Sequence, residues 1–426
     1  MNVRRGAVLL AVLLLAAVSA CAEERAFTGY TIADSQLEML AEGVRYSRYV
    51  LAPVDREAKY GQRINLIEVF PEALGTTRLI AAPGSAHIHK GLKSLTTILD
   101  AAQSGMEGTV LGGVNADFFD MTAGGSVGYL KTGREWLIAG EFRDGWAVGM
   151  TEEGTPVIGQ PRTRIILTMP DGAETEIDAL NGLRADTPRS DISPENMRAA
   201  RKDNQLVLYT PAFGRKTYTP GGGTEAVIIP DGALTEGTLT ARVERVYKRQ
   251  KKEGTALKEG RMVLSGTGEA DQLLRTLNQD DTVRITLTSQ PPFDRTVIAA
   301  GGGRPDGGPL LIREGAPTDL EPMKAISVDV LYFYRRHPRT VFAIREDGGY
   351  FMLAVEGNNT GSWGMTLEET QTLLKDLGAY TALNLDGGPS TTMAVRLDGK
   401  IRLMTNTTGV RNRQTNVGSA LILIEK

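Results

Sequence analysis

The sequence holds one cysteine, three histidines and three tryptophans in 426 residues, and no apolar run reaches the roughly 20 residues needed to cross a bilayer as a helix. A single cysteine excludes an internal disulfide framework and a multi-thiolate metal site, so the folded part must hold together through its core. The histidines offer little to a zinc centre. His87 and His89 are two apart, which puts them on one face of a strand, but two ligands do not make a site and His337 is remote in sequence. An excess of charge of one sign is also missing: the formal charge is −3, and nothing in that balance argues for nucleic acid as a partner. The one basic cluster, Arg245, Lys248, Arg249, Lys251 and Lys252, stands among polar residues beside Gly254 and reads as a solvated hairpin tip.

What is present begins at the N-terminus. Arg4 and Arg5 precede an unbroken apolar run from Ala7 to Val18, which meets Ser19, Ala20 and Cys21. A charged start, a short apolar stretch and small residues behind it make a secretory signal rather than a fold element. Val18-Ser19-Ala20-Cys21 resembles a bacterial lipoprotein processing site. That resemblance implies that residues 1–20 are removed, that Cys21 is lipidated, and that 21–35 serve as anchor and linker. The expectation is an exported protein of the bacterial cell envelope, tethered to a membrane through Cys21 and not spanning it. Loss of Arg4 and Arg5 takes the formal charge from −3 to −5.

Residues 36–426 exceed the roughly 100 to 200 residues of an ordinary domain, so one large elaborated domain is expected. The more polar stretch 156–291 is a candidate inserted subdomain. Gly accounts for 49 residues, and short apolar runs alternate with Gly, Pro, Asp and Asn, which favours strands joined by tight turns. Thr282 to Thr288 alternates with Val283, Ile285 and Leu287 on one face, the pattern of a half-buried strand. Tyr350 to Val355 and Ala420 to Ile424 are apolar throughout, which suits strands covered on both faces. Helices are few: Gly91 to Ala102 carries Leu92, Leu95, Ile98 and Leu99 at helical spacing, and Thr366 to Leu377 opens on a capping-box pair, Thr366 and Glu369. The predicted class is α+β and β-rich, a mixed central sheet with a few helices packed on it.

The second helix runs into Ala382-Leu383-Asn384-Leu385-Asp386-Gly387-Gly388-Pro389-Ser390-Thr391-Thr392. This reads as a short strand delivering a carboxylate at the rim of a sheet, then a turn whose glycines let a ligand approach the backbone, with Ser390, Thr391 and Thr392 as hydroxyl donors. Asp-Gly also marks ordinary turns, so that segment alone does not decide. Val114-Asn115-Ala116-Asp117-Phe118-Phe119-Asp120 follows a strand in the same manner. His337-Pro338-Arg339-Thr340 leads into a strand, and Val355-Glu356-Gly357-Asn358-Asn359 leaves one. The glycines Gly301 to Gly303, Gly307 and Gly308 lack the Lys-Ser/Thr ending of a nucleotide loop and point to close packing or a site wall.

Together with Ser362-Trp363-Gly364-Met365-Thr366, Pro309-Leu310-Leu311, Arg413 and Asn416, these segments resemble the phosphodiester glycosidase family. Its best-known activity removes N-acetylglucosamine from a sugar phosphodiester in the uncovering of mannose 6-phosphate. The resemblance departs in two places. Glu356-Gly357-Asn358 stands where the family has Asp-Gly-Arg, so an acid is kept and a cation lost, and Pro389 replaces a third glycine.

The resemblance implies a hydrolase that cleaves a sugar from a sugar-1-phosphodiester. Such a reaction develops oxocarbenium character on the ring, while phosphate leaves as an anion that needs little protonation. A carboxylate and a cation are then the minimum equipment. Asp386 is implied as the carboxylate at the anomeric centre, with Glu356 or Asp117 as its acid–base partner. Arg339 is implied at the phosphate, because its planar fork matches two oxygens, with Arg413 second. Asn115, Asn384 and Asn416 would orient sugar hydroxyls, and Gly387 and Gly388 would admit the substrate. No cofactor is required, although a calcium or magnesium ion could be held by Asp117, Asp120 or Asp386. The expected partner is a carbohydrate phosphodiester or an envelope glycopolymer. Two rivals use the same residues: a lipoprotein that only binds glycan or anionic polymer, and a phosphodiesterase that breaks the P–O bond and would want a metal cluster.

Overall fold

A computed structural model of the chain describes residues 25–55, 60–120, 124–139, 144–184, 204–250, 253–301, 309–321, 335–359, 361–406 and 413–426. The signal segment and Cys21 lie outside the described residues, as do Gly302, Gly303, Gly307, Gly308, Lys251 and Lys252. Among the described residues no helix is long and apolar enough to cross a membrane.

The continuous apolar runs explain the layering. In the strand Tyr350–Val355, Tyr350, Met352 and Ala354 point into one core while Phe351, Leu353 and Val355 point into another. The strand Ser419–Glu425 divides in the same way, with Leu421 and Leu423 on one side and Ala420, Ile422 and Ile424 on the other. Each run is therefore a central strand of a sheet buried on both faces.

The first sheet has eight strands in the order Tyr30–Ala41, Val44–Pro53, Gln62–Val69, Tyr350–Val355, Arg339–Arg345, Ala379–Asn384, Leu310–Arg313 and Ala316–Pro317. One of its faces carries the helix Leu367–Asp376 through Leu367, Leu373 and Leu374. Its other face packs on a second sheet, ordered Lys400–Leu403, Met393–Leu397, Thr109–Asn115, Ser419–Glu425 and Thr77–Pro83, and on a third built around Thr296–Gly301. The helix Leu95–Gly105 covers the far side of the second sheet. Both helix starts have a local cause: Thr366 and Glu369 form the reciprocal capping box, and the Ser94 side chain accepts from the Thr97 N–H.

The central sheet is not mixed. Every pairing in it is antiparallel, and the one parallel pair among the described strands joins Ala179–Leu180 to Leu206–Tyr209 elsewhere. Composition does not distinguish the two arrangements when both faces are covered. From Arg164 to Thr288 the chain builds a separate eight-stranded sheet whose core packs on the third sheet through Trp136, Ala147 and Ala299. Pro156–Gly159, inside the stretch read as an insertion, instead pairs with Ala147–Thr151 in that third sheet. The strand Tyr30–Ala41 begins within the stretch read as linker. The predicted helix start at Gly91 moves to Leu95, because Ser94 supplies the cap. His87 and His89 lie in a loop and not on a strand; His89 stacks on the Tyr218 ring at 4.2 Å.

Candidate active site

The antiparallel order of the first sheet decides which loops meet. Tyr350–Val355 and Ala379–Asn384 both flank Arg339–Arg345, so Glu356 and Asp386 leave the sheet at the same end. Their strands stand two spacings apart, roughly 10 Å between backbones. Asn115 ends its strand in the second sheet and reaches across to this rim. Its Nδ2 donates to the Asp386 carbonyl at 2.7 Å, and its Oδ1 accepts from the Thr340 hydroxyl at 2.9 Å and the Thr392 N–H at 3.0 Å. Thr340 also contacts the Thr391 hydroxyl at 3.2 Å. This buried network ties three distant segments into one rigid wall.

Asp386 itself is 8% exposed. Burial pushes its carboxyl up to about 7, only partly opposed by the Ser390 hydroxyl and the Gly387 N–H that hold it. The turn is formed by Gly388–Ser390, and Gly388 has φ +60°, a left-handed conformation that glycine adopts freely. The Gly388 N–H donates to the Pro338 carbonyl at 2.9 Å, so the carboxylate turn is anchored on the segment before Arg339.

Glu356 is 2% exposed, and burial raises its carboxyl against the opposing pull of Asn65, Arg63, Arg48 and the Asn406 N–H. Asn65 donates to Glu356 Oε1 at 3.2 Å and accepts the Tyr46 hydroxyl at 2.8 Å. Two acids raised by burial thus stand at one rim, each positioned by its own polar contacts.

Residues 232–424 match the family model described as phosphodiester glycosidase. That stretch, which holds Glu356 and Asp386, is similar to the family. No curated protein matches it in sequence. Among solved structures, a hypothetical protein from Synechocystis overlays 93% of this chain and 68% of its own length at 18% identity, with a TM-score of 0.69. A protein from Burkholderia pseudomallei described as exported overlays 94% of this chain and 98% of its own at 17% identity, with a TM-score of 0.67. At such identities the likeness is one of fold. The catalytic domain of zebrafish N-acetylglucosamine-1-phosphodiester alpha-N-acetylglucosaminidase overlays more loosely, with a TM-score of 0.44 and 12% identity over 93% of this chain and 89% of that one.

Within the matched stretch and the strands around it, several residues expected at the site have contacts inside the protein. Asn115 and Asn384 are fully buried. Asn115 spends its amide on the network above, and Asn384 donates to the Leu385 carbonyl at 2.9 Å, so both brace the rim from within the protein. Thr391 and Thr392 belong to the same network, whereas Ser390 holds Asp386. Arg339 is also fully buried. Its Nε donates to the Met365 carbonyl at 2.9 Å and its Nη2 to the Arg335 carbonyl at 3.2 Å, which braces the segment under the rim. Asp117 lies 1% exposed, with Oδ2 accepting the Gly128 N–H at 2.7 Å. Arg413 and Asn416 are exposed on the stretch that leads through Val417, paired with Lys93, to Ser419. The Ser419 hydroxyl accepts the Asp117 N–H at 3.1 Å.

A hard cation would need oxygen ligands converging on one point. Asp117 is committed to Gly128, Asp386 to Ser390 and Gly387, and no group of three or more acidic, histidine or cysteine side chains converges among the described residues. The donor set expected for calcium or magnesium is therefore not assembled there. Sequence reasoning missed Asn65, Tyr46 and Asn406, which position Glu356. Asn65 lies in the strand Gln62–Val69 between Ile64 and Leu66, and because it is fully buried its amide needs partners.

Proposed function

We propose that the protein is a hydrolase that frees a sugar from a sugar-1-phosphodiester, and that it works in the cell envelope, tethered through Cys21. The observation that carries the reading is Asp386, a buried carboxyl pushed up to about 7 at a strand rim inside the stretch that matches the phosphodiester glycosidase family. Near neutral pH such a group can take a proton from water and hold it. Water adds to the anomeric carbon, the bond from that carbon to the phosphate oxygen breaks, and the phosphate monoester leaves with the bonding pair. Asp386 accepts the water proton, and Glu356 is its acid–base partner. Arg413, exposed on the stretch leading to Ser419, is the cation assigned to the phosphate, while Arg339 keeps the Pro338 segment in place.

Incubation of the protein with a panel of sugar-1-phosphodiesters should release free sugar, with kcat/KM rising as pH increases through about 7 because ionised Asp386 is the active form. Glu356→Gln should lower the rate roughly 100-fold. Binding of panel members without release, with divalent ions supplied, would make the protein a glycan-binding lipoprotein instead.

A further inference from the structure

The strand Tyr30–Ala41 is an edge of the first sheet, and Thr31 to Met39 are exposed along it. Its side chains divide by charge. Ile32, Leu37 and Met39 stand opposite Leu51, Ser47 and Arg45, so they share the sheet face that carries the helix Leu367–Asp376. Asp34 and Glu38, opposite Val50 and Tyr46, project from the other face. The three aliphatic side chains are 40%, 41% and 57% exposed. An edge strand with apolar groups on one face and acids on the other marks a surface that something apolar covers on one side only.

The N-terminal segment settles on that same face. Met39 pairs with Arg45 and Arg45 with Glu68, so Glu68 lies two strand spacings, roughly 10 Å, from Met39. Arg25 reaches Glu68 Oε1 at 2.6 Å, and Phe27 meets the Tyr49 ring at 5.3 Å, which pins the segment beside the exposed row. Cys21 stands four residues before Arg25 and can lie at most roughly 14 Å from it. We infer that the face of Ile32, Leu37 and Met39 rests on the bilayer to which Cys21 is tethered, with the three side chains among the lipid headgroups. This rests on the tether proposed above. The charges agree: three guanidiniums around the single carboxylate of Glu68 leave this face positive, which suits anionic headgroups, while Asp34 and Glu38 project away from it. The rival cover is a second copy of the chain, paired along the edge. Register shifts between Ile32 and Asp34 and between Met39 and Ala41 break the regular ladder such pairing needs, and it would bring two acidic strands together.

The lipidated chain in vesicles of phosphatidylethanolamine and phosphatidylglycerol tests the inference. With Cys21 occupied by lipid, Met39→Cys and Glu38→Cys each offer one thiol for a polarity-sensitive dye, and lipids spin-labelled near the headgroup quench a dye that touches them. The Met39→Cys dye should shift to the blue on reconstitution and be quenched several-fold more than the Glu38→Cys dye. Adding Leu37→Gln should reduce that quenching, and melting curves check that each variant is folded. Equal quenching of the two dyes, or none, in chains whose Cys21 carries lipid by mass spectrometry overturns the inference. Two copies in sedimentation, with the Met39→Cys dye shielded in the absence of vesicles, assign the face to a second copy and also overturn it. If mass spectrometry finds Cys21 without lipid, the tether has failed, and the face is judged by sedimenting the native chain with the same vesicles. Binding that is lost in Leu37→Gln with Met39→Gln supports it, and no binding overturns it.

Discussion

Asp386→Asn should abolish sugar release and, at pH 8, make the protein more stable than the native chain. Burial holds the native carboxyl near 7, about three pH units above its ordinary value of 3.8. Between those values the folded state binds the extra proton, so native stability falls as pH rises from about 4 to about 7 and stays low above that. Three units correspond to at most about 4 kcal/mol. Asparagine has nearly the same shape, keeps an acceptor for Ser390 and Gly387, and carries no charge to desolvate. Its stability should therefore lack this decline. Denaturant unfolding of both proteins at pH 5 and pH 8 reads the difference directly: the gap should open toward pH 8 in favour of the variant. A variant less stable by the same margin at both pH values would mean that the Asp386 carboxyl is not desolvated. The opposed effects on turnover and stability are those expected when a fold retains a costly group for its chemistry.

Glu68→Gln should lower stability by about 3–5 kcal/mol, although its side chain lies on the face of the sheet opposite to Asn65. Glu68 is fully buried and is approached by Arg25 at 2.6 Å, Arg45 at 3.0 Å and Arg345 at 2.5 Å, with the Ser47 hydroxyl at 3.1 Å. Phe70 lies under two of the guanidiniums, Arg45 at 5.0 Å and Arg345 at 5.7 Å. Burial alone would raise the Glu68 carboxyl, but Arg25, Arg45 and Arg345 together outweigh it and hold the group below its usual range. A depressed carboxyl contributes stability that is present above its unfolded value and lost as pH falls through its folded one. Glutamine would leave three buried cations with no anion, so the native chain should show an acid-unfolding limb that the variant lacks, at a lower plateau. Loss of less than about 1 kcal/mol at pH 7 would contradict the ion cluster. Because Arg25 is one of the three, the variant should also loosen the N-terminal segment from the sheet.

The elements legible in the sequence are those with local causes. The capping box of Thr366 and Glu369 lies within four consecutive residues, and both of its hydrogen bonds form. Tyr350–Val355 announced itself by length and unbroken apolarity, which is what a strand shared by two cores requires. The antiparallel order of the first sheet was hidden, since its pairings join Gln62–Val69 to Tyr350–Val355 across most of the chain. The site shows the same limit. Asp386, Glu356 and Asn115 were recognisable as polar residues at strand ends, and all lie at one rim. Their roles depend on partners distant in sequence, so Asn115 looked like a sugar ligand until its amide was found joined to Thr340, Asp386 and Thr392. Arg339 shows the same dependence: residue type suggests phosphate, and only the fold reveals that it is fully buried with main-chain acceptors at Met365 and Arg335.

The central claim is that water attacks carbon and not phosphorus. Hydrolysis of a sugar-1-phosphodiester in ¹⁸O-labelled water, with both products analysed by mass spectrometry, tests it most directly. Label in the freed sugar, with none in the phosphate monoester, is the predicted result. Label in the phosphate would place the cleavage at the P–O bond and contradict the assignment of Asp386 to the anomeric centre.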